Sequence, residues 1–374
     1  MGSPALQVLL LLQDGSLCRV VGLVGQMAQM WMPRVCVGVP CPPDPTPTMP
    51  PILTSSDDIQ IAADRLREGD VVAIPTETVY GLAGLTRSEA ALDRIYALKG
   101  RPSDNPLIAH VGSIEMAVSC VETWPDEATA LAEAFWPGPL SLILPRADWI
   151  PDRAVGGHST VAVRWPDHSV MQSLLEILGE PLSAPSANRS GQVSPTTAAH
   201  VVQDYADVSA AASLVVLDGG ACRKGIESTV IDLSQGGCDV LRLGSASVSD
   251  IERVIGSSMV VSPQTTRTAS PGTQPRHYAP QTPIEVREIS ELADALSSGG
   301  STVVISRSME RCDPPHVHLP LPEDPERAHQ VFYDLLRRAD ETGCERIVVE
   351  ALPSDNAWAA LRDRLHRAST PPGD

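Results

Sequence analysis

The chain has 374 residues and a formal net charge of −18, with 28 Lys plus Arg against 46 Asp plus Glu. This acidic balance argues against a basic nucleic-acid footprint as the main mode of binding, and an aromatic content of 3% argues against base-stacking platforms. The length allows two domains, and a hydrophobic content of 43% indicates a soluble globular protein.

The cysteines and the apolar runs of the sequence indicate the cellular compartment of the protein. The eight cysteines form no C-x-x-C pair, so zinc ribbons and thioredoxin-like chemistry have no support, and scattered thiols fit a reducing cytoplasm. No apolar run reaches the ~18 residues that a membrane span needs. Residues 5–12 are apolar but lack the flanking pattern of a signal peptide. We therefore expect a cytoplasmic protein with no membrane partner.

Residues 1–50 differ from the rest of the chain, with three cysteines, five methionines and a Pro-rich end but no amphipathic period. We interpret them as a disordered extension, or as a segment that is absent if translation begins at Met49.

Residues 54–258 alternate between helical and strand-like patterns, which predicts an α/β domain built on a twisted, mixed sheet with flanking helices. A helix follows Asp57 and ends near Gly69, and Gly100 and Gly179 stand where C-terminal caps are expected. Residues 75–84 are predicted to form a hydroxyl-rich, then glycine-rich turn. The strand-like runs are residues 71–74, 107–111, 140–144, 161–164, 214–217, 228–233 and 239–243. The helical runs are residues 88–98, 127–135, 169–178 and 248–255.

Residues 259–283 are rich in Pro, Ser and Thr and are interpreted as a linker, although His277 and Tyr278 are unusual in a mere spacer. Residues 284–368 resume the alternation and predict a smaller, doubly wound α/β domain. Its helices are expected at residues 288–296, 325–342 and 356–366, and its strands at residues 302–306 and 346–350. The absence of G-x-G-x-x-G gives no support for a dinucleotide site there.

Six polar clusters stand at or beside predicted strands of the larger domain, which is where open α/β sheets bind ligands. They lie at residues 75–82, 99–110, 160–164, 183–196, 227–229 and at 242. Lys99 stands out because the chain contains only one other lysine, Lys224. Each cluster also has a purely structural interpretation. Lys99 and Arg101 would offset a helix dipole, His110 would be a core histidine, Arg164 would be a salt-bridge partner, and residues 185–188 would form an ordinary turn.

Four strings of the sequence together resemble the threonylcarbamoyl-AMP synthase family, whose catalytic domain is called YrdC-like. They are PTETVYGLAG, the Lys99-x-Arg101 pair with NPLIAHV, PSANRSGQVSPT and GIESTVIDL. SPGTQPRHYAP resembles the linker of the longer, two-domain form. The resemblance covers residues 57–368 and implies that L-threonine, bicarbonate or CO2, and ATP give threonylcarbamoyl-AMP and pyrophosphate. This product serves the N6-threonylcarbamoylation of adenosine 37 in tRNA, so a downstream tRNA threonylcarbamoyl transferase is an implied partner.

The resemblance also implies residue roles. Lys99 and Arg101 would neutralise the triphosphate and are the expected catalytic residues. Arg164 would pair with the carboxylate of threonine, where a bidentate fork fits best. The remaining threonine ligands would be Thr78, His110, Ala184 and Ser228. The remaining ATP ligands would be Asn105, Thr160, Ser186, Asn188, Ser194, Arg242 and Tyr278. No protein metal site is expected, because Mg²⁺ would arrive with ATP.

Three rival interpretations are open. A purely structural two-domain protein would leave the six polar clusters unexplained. A non-catalytic RNA-binding module of YrdC-like fold would show salt-dependent RNA affinity without ATP cleavage. A hydrogenase-maturation carbamoyltransferase contains a related domain but also needs zinc-finger cysteine pairs, which this chain does not have.

Overall fold

The computed structural model describes residues 7–11, 17–21, 49–208, 211, 213–256, 260–261, 276–297 and 299–371. The chain divides into one unit of residues 1–46 and a second of residues 47–374. In the first unit, β1 (Gln7–Leu11) pairs with β2 (Leu17–Val21) in an antiparallel ladder. The remainder of the predicted disordered extension lies outside the described residues, apart from residues 49 and 50.

A large mixed sheet forms the first part of the second unit. In spatial order its strands are β13-β12-β11-β7-β8-β6-β9-β5-β4-β10-β3, with both parallel and antiparallel neighbours, as predicted. The strands are β3 (Ile52–Leu53), β4 (Val72–Ile74), β5 (Gly81–Leu85), β6 (Ile108–His110), β7 (Leu140–Pro145), β8 (Thr160–Arg164), β9 (Leu182–Ala184), β10 (Val215–Leu217), β11 (Thr229–Asp232), β12 (Asp239–Arg242) and β13 (Val260–Val261).

Helices cover both faces of this sheet. Successive side chains of a strand point to opposite faces, and on each face they pack against helices. On β4, Val72 and Ile74 pack in one cluster with helix residues such as Leu66, whereas Ala73 packs in another with Leu92. The helices are α1 (Ser56–Arg67), α2 (Glu89–Lys99), α3 (Ile114–Ser119), α4 (Asp126–Phe135), α5 (Asp152–Val155), α6 (Ser169–Leu178), α7 (Ala198–Tyr205) and α8 (Val248–Ile255). We call residues 49–256 together with strand β13 the large-sheet domain.

Residues 284–371, the small-sheet domain, form a parallel sheet of order β14-β17-β15-β16 with helices on both faces. This confirms the predicted doubly wound architecture. Its strands are β14 (Ile284–Arg287), β15 (Thr302–Ser306), β16 (Val317–Pro320) and β17 (Arg346–Glu350). Its helices are α9 (Leu292–Ser297), α10 (Pro325–Glu341) and α11 (Ala359–Ser369), and 3-10 turns precede α9 at Ile289–Glu291 and α11 at Asn356–Trp358.

One predicted turn is partly wrong. The turn after β4 ends at Tyr80, and the glycine-rich stretch that follows is strand β5, which lies between β4 and β9. Glycine and alanine give this strand no hydrophobic alternation in sequence. They fit because the backbone comes close to neighbours: a Cβ on Gly84 would lie 2.8 Å from that of Ala91.

The two sheet domains meet along the loop before β11 and helix α10. Gly225 adopts φ +72°, and a Cβ there would lie 2.5 Å from Cα of Gln330 on α10. Near this point, Arg337 of α10 forms a bidentate pair with Asp204 of α7, with both N···O distances at 2.7 Å. Of the predicted linker, residues 259 and 262–275 lie outside the described residues. Residues 260–261 are strand β13 of the large sheet rather than linker, and Ala279 bridges to Gln192.

Candidate active site

A polar cavity opens where parallel strands β6 and β8 end side by side, so that His110 pairs in register with Arg164. About 520 Å³ of empty space, counted out to bulk solvent, lies between the lining residues. The lining residues are Thr76, Thr78, Val79, Gly81, Arg101, Ile108, His110, Arg164, Ala184, Pro185, Ser186, Glu227, Ser228, Arg242, His277 and Tyr278.

The turn after β4 satisfies its own hydroxyl groups, which explains how so polar a segment is buried. Thr76 Oγ1 donates to Val79 O at 2.6 Å and accepts from the backbone amides of Thr78 and Val79 at 3.2 Å. Thr78 Oγ1 lies 2.8 Å from Thr76 Oγ1. The turn is therefore a rigid wall of the cavity with its hydroxyl groups fixed.

Arg164 is anchored on three sides and is 3% exposed. Its Nη2 lies 2.7 Å from a Glu77 oxygen, its Nη1 donates to Thr78 Oγ1 at 2.9 Å, and its Nε donates to Gly138 O at 3.2 Å. Arg164 is therefore a salt-bridge partner, as one interpretation of the sequence predicted. The same guanidinium also lines the cavity. Such anchoring presents a charged fork that is suited to a carboxylate.

His110 is buried beside this charge. Burial, reinforced by the Arg164 guanidinium, lowers the pKa of His110 to about 3, so the imidazole is neutral at physiological pH. Its Nδ1 lies 3.2 Å from Ile108 O. With Nδ1 as the donor of that hydrogen bond, Nε2 is left as an acceptor.

Ser228, immediately before β11, and Arg242, at the end of β12, form a second polar group. Arg242 donates to Ser228 from Nε to the carbonyl oxygen and from Nη2 to Oγ, both at 3.1 Å. Ser228 Oγ also lies 2.8 Å from Ser141 Oγ on β7. The hydroxyl of Ser228 is thereby fixed at the cavity wall.

The end of α2 positions two further cations. Gly100 is a left-handed C-cap, which turns the chain so that Arg101 lines the cavity. Arg101 Nη2 donates to Asn105 Oδ1 at 2.6 Å, and burial lowers its pKa to about 10, so it stays charged at neutral pH. This hydrogen bond from Arg101 to Asn105 fixes the orientation of the Arg101 guanidinium.

Lys99 does not line the cavity. Its ammonium donates to the carbonyl oxygen of Ser186 at 2.5 Å and to that of Asn188, so it holds the loop after β9. Burial, with a smaller contribution from Arg101, lowers the pKa of Lys99 well below its usual value.

The loop after β9 carries three predicted nucleotide ligands, of which only Ser186 lines the cavity. Asn188 donates from Nδ2 to two backbone carbonyls, and its buried Oδ1 has no hydrogen-bond partner. Ser194 Oγ donates to Glu227 at 2.6 Å. Asn188 and Ser194 therefore stabilise the wall rather than form it.

An apolar strip runs from the cavity along the same face of the sheet. It is formed by Ile108, Ile143, Ala162, Val230 and, partly buried, Leu241. Thr160 lies on this face because it is two residues from Ala162, but it does not line the cavity. At about 3.3 Å per residue it is some 13 Å along β8 from Arg164.

Tyr278 and His277 close the cavity from the linker. Tyr278 is 1% exposed and has φ +59°, a conformation that costs a non-glycine residue of the order of 1 kcal/mol. The Tyr278 hydroxyl and His277 Nδ1 are buried without hydrogen-bond partners. Polar atoms that line a cavity and lack partners are suited to a ligand.

Of the fourteen predicted site residues, nine line this one cavity and five do not. The nine are Thr78, Arg101, His110, Arg164, Ala184, Ser186, Ser228, Arg242 and Tyr278. The five are Lys99, Asn105, Thr160, Asn188 and Ser194, and the geometry puts all but Thr160 in contact with lining residues or their loop.

Glu227, His277 and Thr76 line the cavity although no role was predicted for them, and each belongs to a polar or unusual segment of the sequence. Arg364, whose guanidinium lies 2.9 Å from Glu227, was not predicted. A signal for Arg364 was present, because it occupies the same helical face as Leu361, Leu365 and Ala368. An arginine on an apolar helix face indicates a buried cation whose acidic partner lies on another element of the fold.

In the described part of the chain, no group of three His, Cys, Asp or Glu side chains could hold a metal ion. No helix among these residues is both long and apolar enough to cross a bilayer.

Sequence families match both sheet domains. Residues 64–244 match the family described as "Telomere recombination" (Sua5_yciO_yrdC), and residues 246–370 match "Threonylcarbamoyl-AMP synthase, C-terminal domain".

Individual proteins match over most of the chain. Threonylcarbamoyl-AMP synthase of Pyrococcus abyssi is 40% identical over 325 residues, covering 83% of this chain and 94% of that protein. The protein of the same name from Bacillus subtilis is 37% identical over 332 residues, covering 84% and 94%. The crystal structure of P. abyssi Sua5 complexed with L-threonine has a TM-score of 0.78 and 38% identity, over 86% of this chain and 98% of that one.

Proposed function

The chain belongs to the threonylcarbamoyl-AMP synthase family in its two-domain form, and we propose that it makes threonylcarbamoyl-AMP and pyrophosphate from L-threonine, bicarbonate or CO2, and ATP. The product serves N6-threonylcarbamoylation of adenosine 37 in tRNA. The observation that carries the proposal is the convergence of Arg164, Arg101 and Arg242 on one cavity in an otherwise acidic molecule.

Threonine binds at the end of β8. Its carboxylate pairs with Arg164, which has donors beyond those used by Glu77, Thr78 and Gly138. The neutral His110 and the hydroxyls of Thr78 and Ser228 hold the amine and the hydroxyl of threonine, and the backbone of Ala184 completes the subsite. The relative that was crystallised with L-threonine supports threonine as the ligand of this cavity.

ATP binds with its phosphates toward Arg101 and Arg242, and Ser186 donates to the phosphate or ribose oxygens. The apolar strip along β8 accommodates the base, and Thr160 lies at its far end. Tyr278 covers the nucleotide. Lys99, Asn105, Asn188 and Ser194 maintain the loops that form the site, and Lys99 reaches the triphosphate directly only by releasing a carbonyl oxygen of its loop.

The reaction needs no protein nucleophile. The amine of threonine adds to CO2 with loss of a proton, which forms the N–C bond of a carbamate. A carbamate oxygen then attacks the α-phosphorus of ATP, the bond between that phosphorus and the bridging oxygen breaks, and pyrophosphate leaves. The enzyme is thus a nucleotidyltransferase. Its contribution is to hold two anions in line and to offset their repulsion.

Mg²⁺ enters with ATP as part of the substrate. The cavity fits this arrangement, because the carboxylate that lines it, Glu227, is already hydrogen-bonded by protein donors. We expect the product to pass to a tRNA threonylcarbamoyl transferase and the reaction to take place in the cytoplasm.

The test is pyrophosphate release from ATP with threonine and bicarbonate omitted in turn, and with mass spectrometry of the nucleotide product. We expect release only when both are present, together with an adenylate that carries the mass of threonine and one carbon dioxide. Release that is independent of threonine, or a product without the added carbon, would contradict the proposal.

A further inference from the structure

The cavity wall contains one carboxylate, Glu227, which is bonded from both sheet domains. Ser194 donates to its Oε1 at 2.6 Å from the large-sheet domain. Tyr333 of α10 and Arg364 of α11 both donate to its Oε2 at 2.9 Å from the small-sheet domain. A residue that lines the proposed nucleotide site is therefore held mainly by the other domain.

Arg364 contacts a second wall residue as well. Its guanidinium carbon lies 4.9 Å from the ring centroid of Tyr278, which also stacks on Tyr333 at 5.7 Å with 23° between the planes. The Nη2 group of Arg364 donates to Leu243 O at 2.8 Å, and the side chain is 0% exposed. Its Nη1 group pairs with Asp363 at 2.6 Å, and Asp363 is itself paired with Arg367 at 3.0 Å, so Nε remains for Glu227. One buried cation of the small-sheet domain thus joins the carboxylate wall and the aromatic wall of the same cavity.

A carboxylate at this position opposes the binding of a triphosphate unless its charge is cancelled. Burial alone would raise the pKa of Glu227, but Arg364, then Arg242 and the Ser194 hydroxyl, outweigh burial and hold it at about 2. Glu227 is therefore ionised at neutral pH. Within a few ångströms of an anion and away from bulk water, such a charge repels strongly.

Resting on the function proposed above, we propose that Arg364 is a positioning residue of the active site supplied by the small-sheet domain. It cancels the charge of Glu227 and fixes the ring of Tyr278, so that Arg101 and Arg242 attract the nucleotide at full strength. The small-sheet domain thereby completes the ATP site without touching threonine.

The experiment compares Arg364→Met with Arg364→Lys, which differ in charge but little in size, and adds Glu227→Gln/Arg364→Met. The dissociation constant of α,β-methylene-ATP is measured by calorimetry, and KM for ATP and for threonine by pyrophosphate release. Arg307→Met is the matched control, because Arg307 pairs with Glu350 inside the small-sheet domain and touches no cavity residue.

We expect Arg364→Met to weaken binding of the analogue and raise KM for ATP by at least roughly tenfold, with KM for threonine within about twofold of wild type. Arg364→Lys should lie between wild type and Arg364→Met. The double variant, which removes both charges, should recover most of the affinity for the analogue. If Arg364→Met does not fold, the comparison is with wild type: Arg364→Lys should raise KM for ATP alone, the double variant should bind the analogue nearly as tightly as wild type, and failure of either would overturn the proposal.

Equal affinities of the Met and Lys variants would overturn the proposal, as would a double variant no better than Arg364→Met. A change shared with Arg307→Met, or an equal rise in KM for both substrates, would show a merely structural role and would also overturn it. The wild-type enzyme separates this result from failure of the proposed function. Binding of the analogue needs no turnover, whereas wild-type turnover tests the reaction itself.

Discussion

Arg164 shows how one residue can be both a structural ion pair and a ligand. Its pairing with Glu77 fixes the guanidinium at the end of β8, and the cavity still has access to the same group. A buried arginine paired with one carboxylate keeps donors for a second, because the guanidinium has five N–H groups. The two interpretations of the sequence were therefore compatible.

Arg164→Lys tests this dual role, since it keeps the charge beside Glu77 but loses the planar fork. We expect KM for threonine to rise roughly ten- to a hundredfold, the equivalent of one charge-assisted hydrogen bond of about 1.5–3 kcal/mol. KM for ATP should change little. Arg146→Lys is the control, because Arg146 pairs with Asp152 outside the cavity. A parallel rise in both KM values would contradict the assignment to threonine.

At the residue scale, the sequence was informative where polar residues interrupt strand ends. His110, Arg164 and Ser228 were predicted together from such interruptions and from the family resemblance, and they line one cavity. The orientation of Lys99 toward loop carbonyls was not predictable, because it depends on how the loop after β9 folds back over α2. Arg364 was missed because its partner Glu227 is 137 positions away in sequence.

At the element scale, α10 joins the small-sheet domain to α7. Arg337 donates to both oxygens of Asp204 and to Val193 O at 2.5 Å, and it is almost fully buried. The bidentate geometry satisfies two buried charges at once, which is the condition for such a pair to be tolerated.

Arg337→Met should lower the free energy of unfolding by roughly 3–5 kcal/mol, because Asp204 would be left as a buried charge without its partner. Urea denaturation followed by circular dichroism measures this loss. The double variant Asp204→Asn/Arg337→Met should regain much of it. A double variant as unstable as the single one would mean that packing, rather than charge, holds these helices together.

Most elements with a clear hydrophobic pattern were predictable from the sequence, including the three-residue strands β4, β6 and β10. The boundaries of α6 and α8 match the predicted runs, and Asp324 caps α10 as its sequence indicates. Helix α7 was missed although Ala198, Val201 and Tyr205 have helical spacing. Strands β5 and β9 were missed because glycine, serine and alanine give them no hydrophobic period. Their conformation is determined by pairing with distant strands, as for β5 between β4 and β9.

Across the described part of the molecule, burial lowers the pKa of five histidines, of which His110 and His277 are buried and His168, His200 and His329 are half-buried. Burial is the main cause in each case and lowers the pKa of His110 and His277 to about 3 and that of His200 and His329 to about 4. The unfolded chain therefore binds more protons than the folded one below about pH 6.5. Composition alone could not reveal this, because it depends on where packing places each ring.

Stability should consequently fall as the pH drops from about 6.5 toward 4, by up to about 1.4 kcal/mol per pH unit for each of these histidines. Glu227, with its lowered pKa, adds a further loss below about pH 4.5. Urea midpoints at pH 7.5 and 5.5 measure the first effect, and His200→Gln should make the difference between them smaller. A midpoint that does not change between these pH values would contradict the burial of neutral histidines.

The tight approach at Gly225 has a consequence for chimaeras assembled from related proteins. Because even one methyl group at Gly225 would collide with the α10 backbone, the surfaces of this loop and of α10 must be complementary in shape. A hybrid that takes both from one parent should form a well-packed junction. A hybrid that takes the loop from one parent and α10 from another should lose close packing between the two sheet domains, even when every active-site residue is retained.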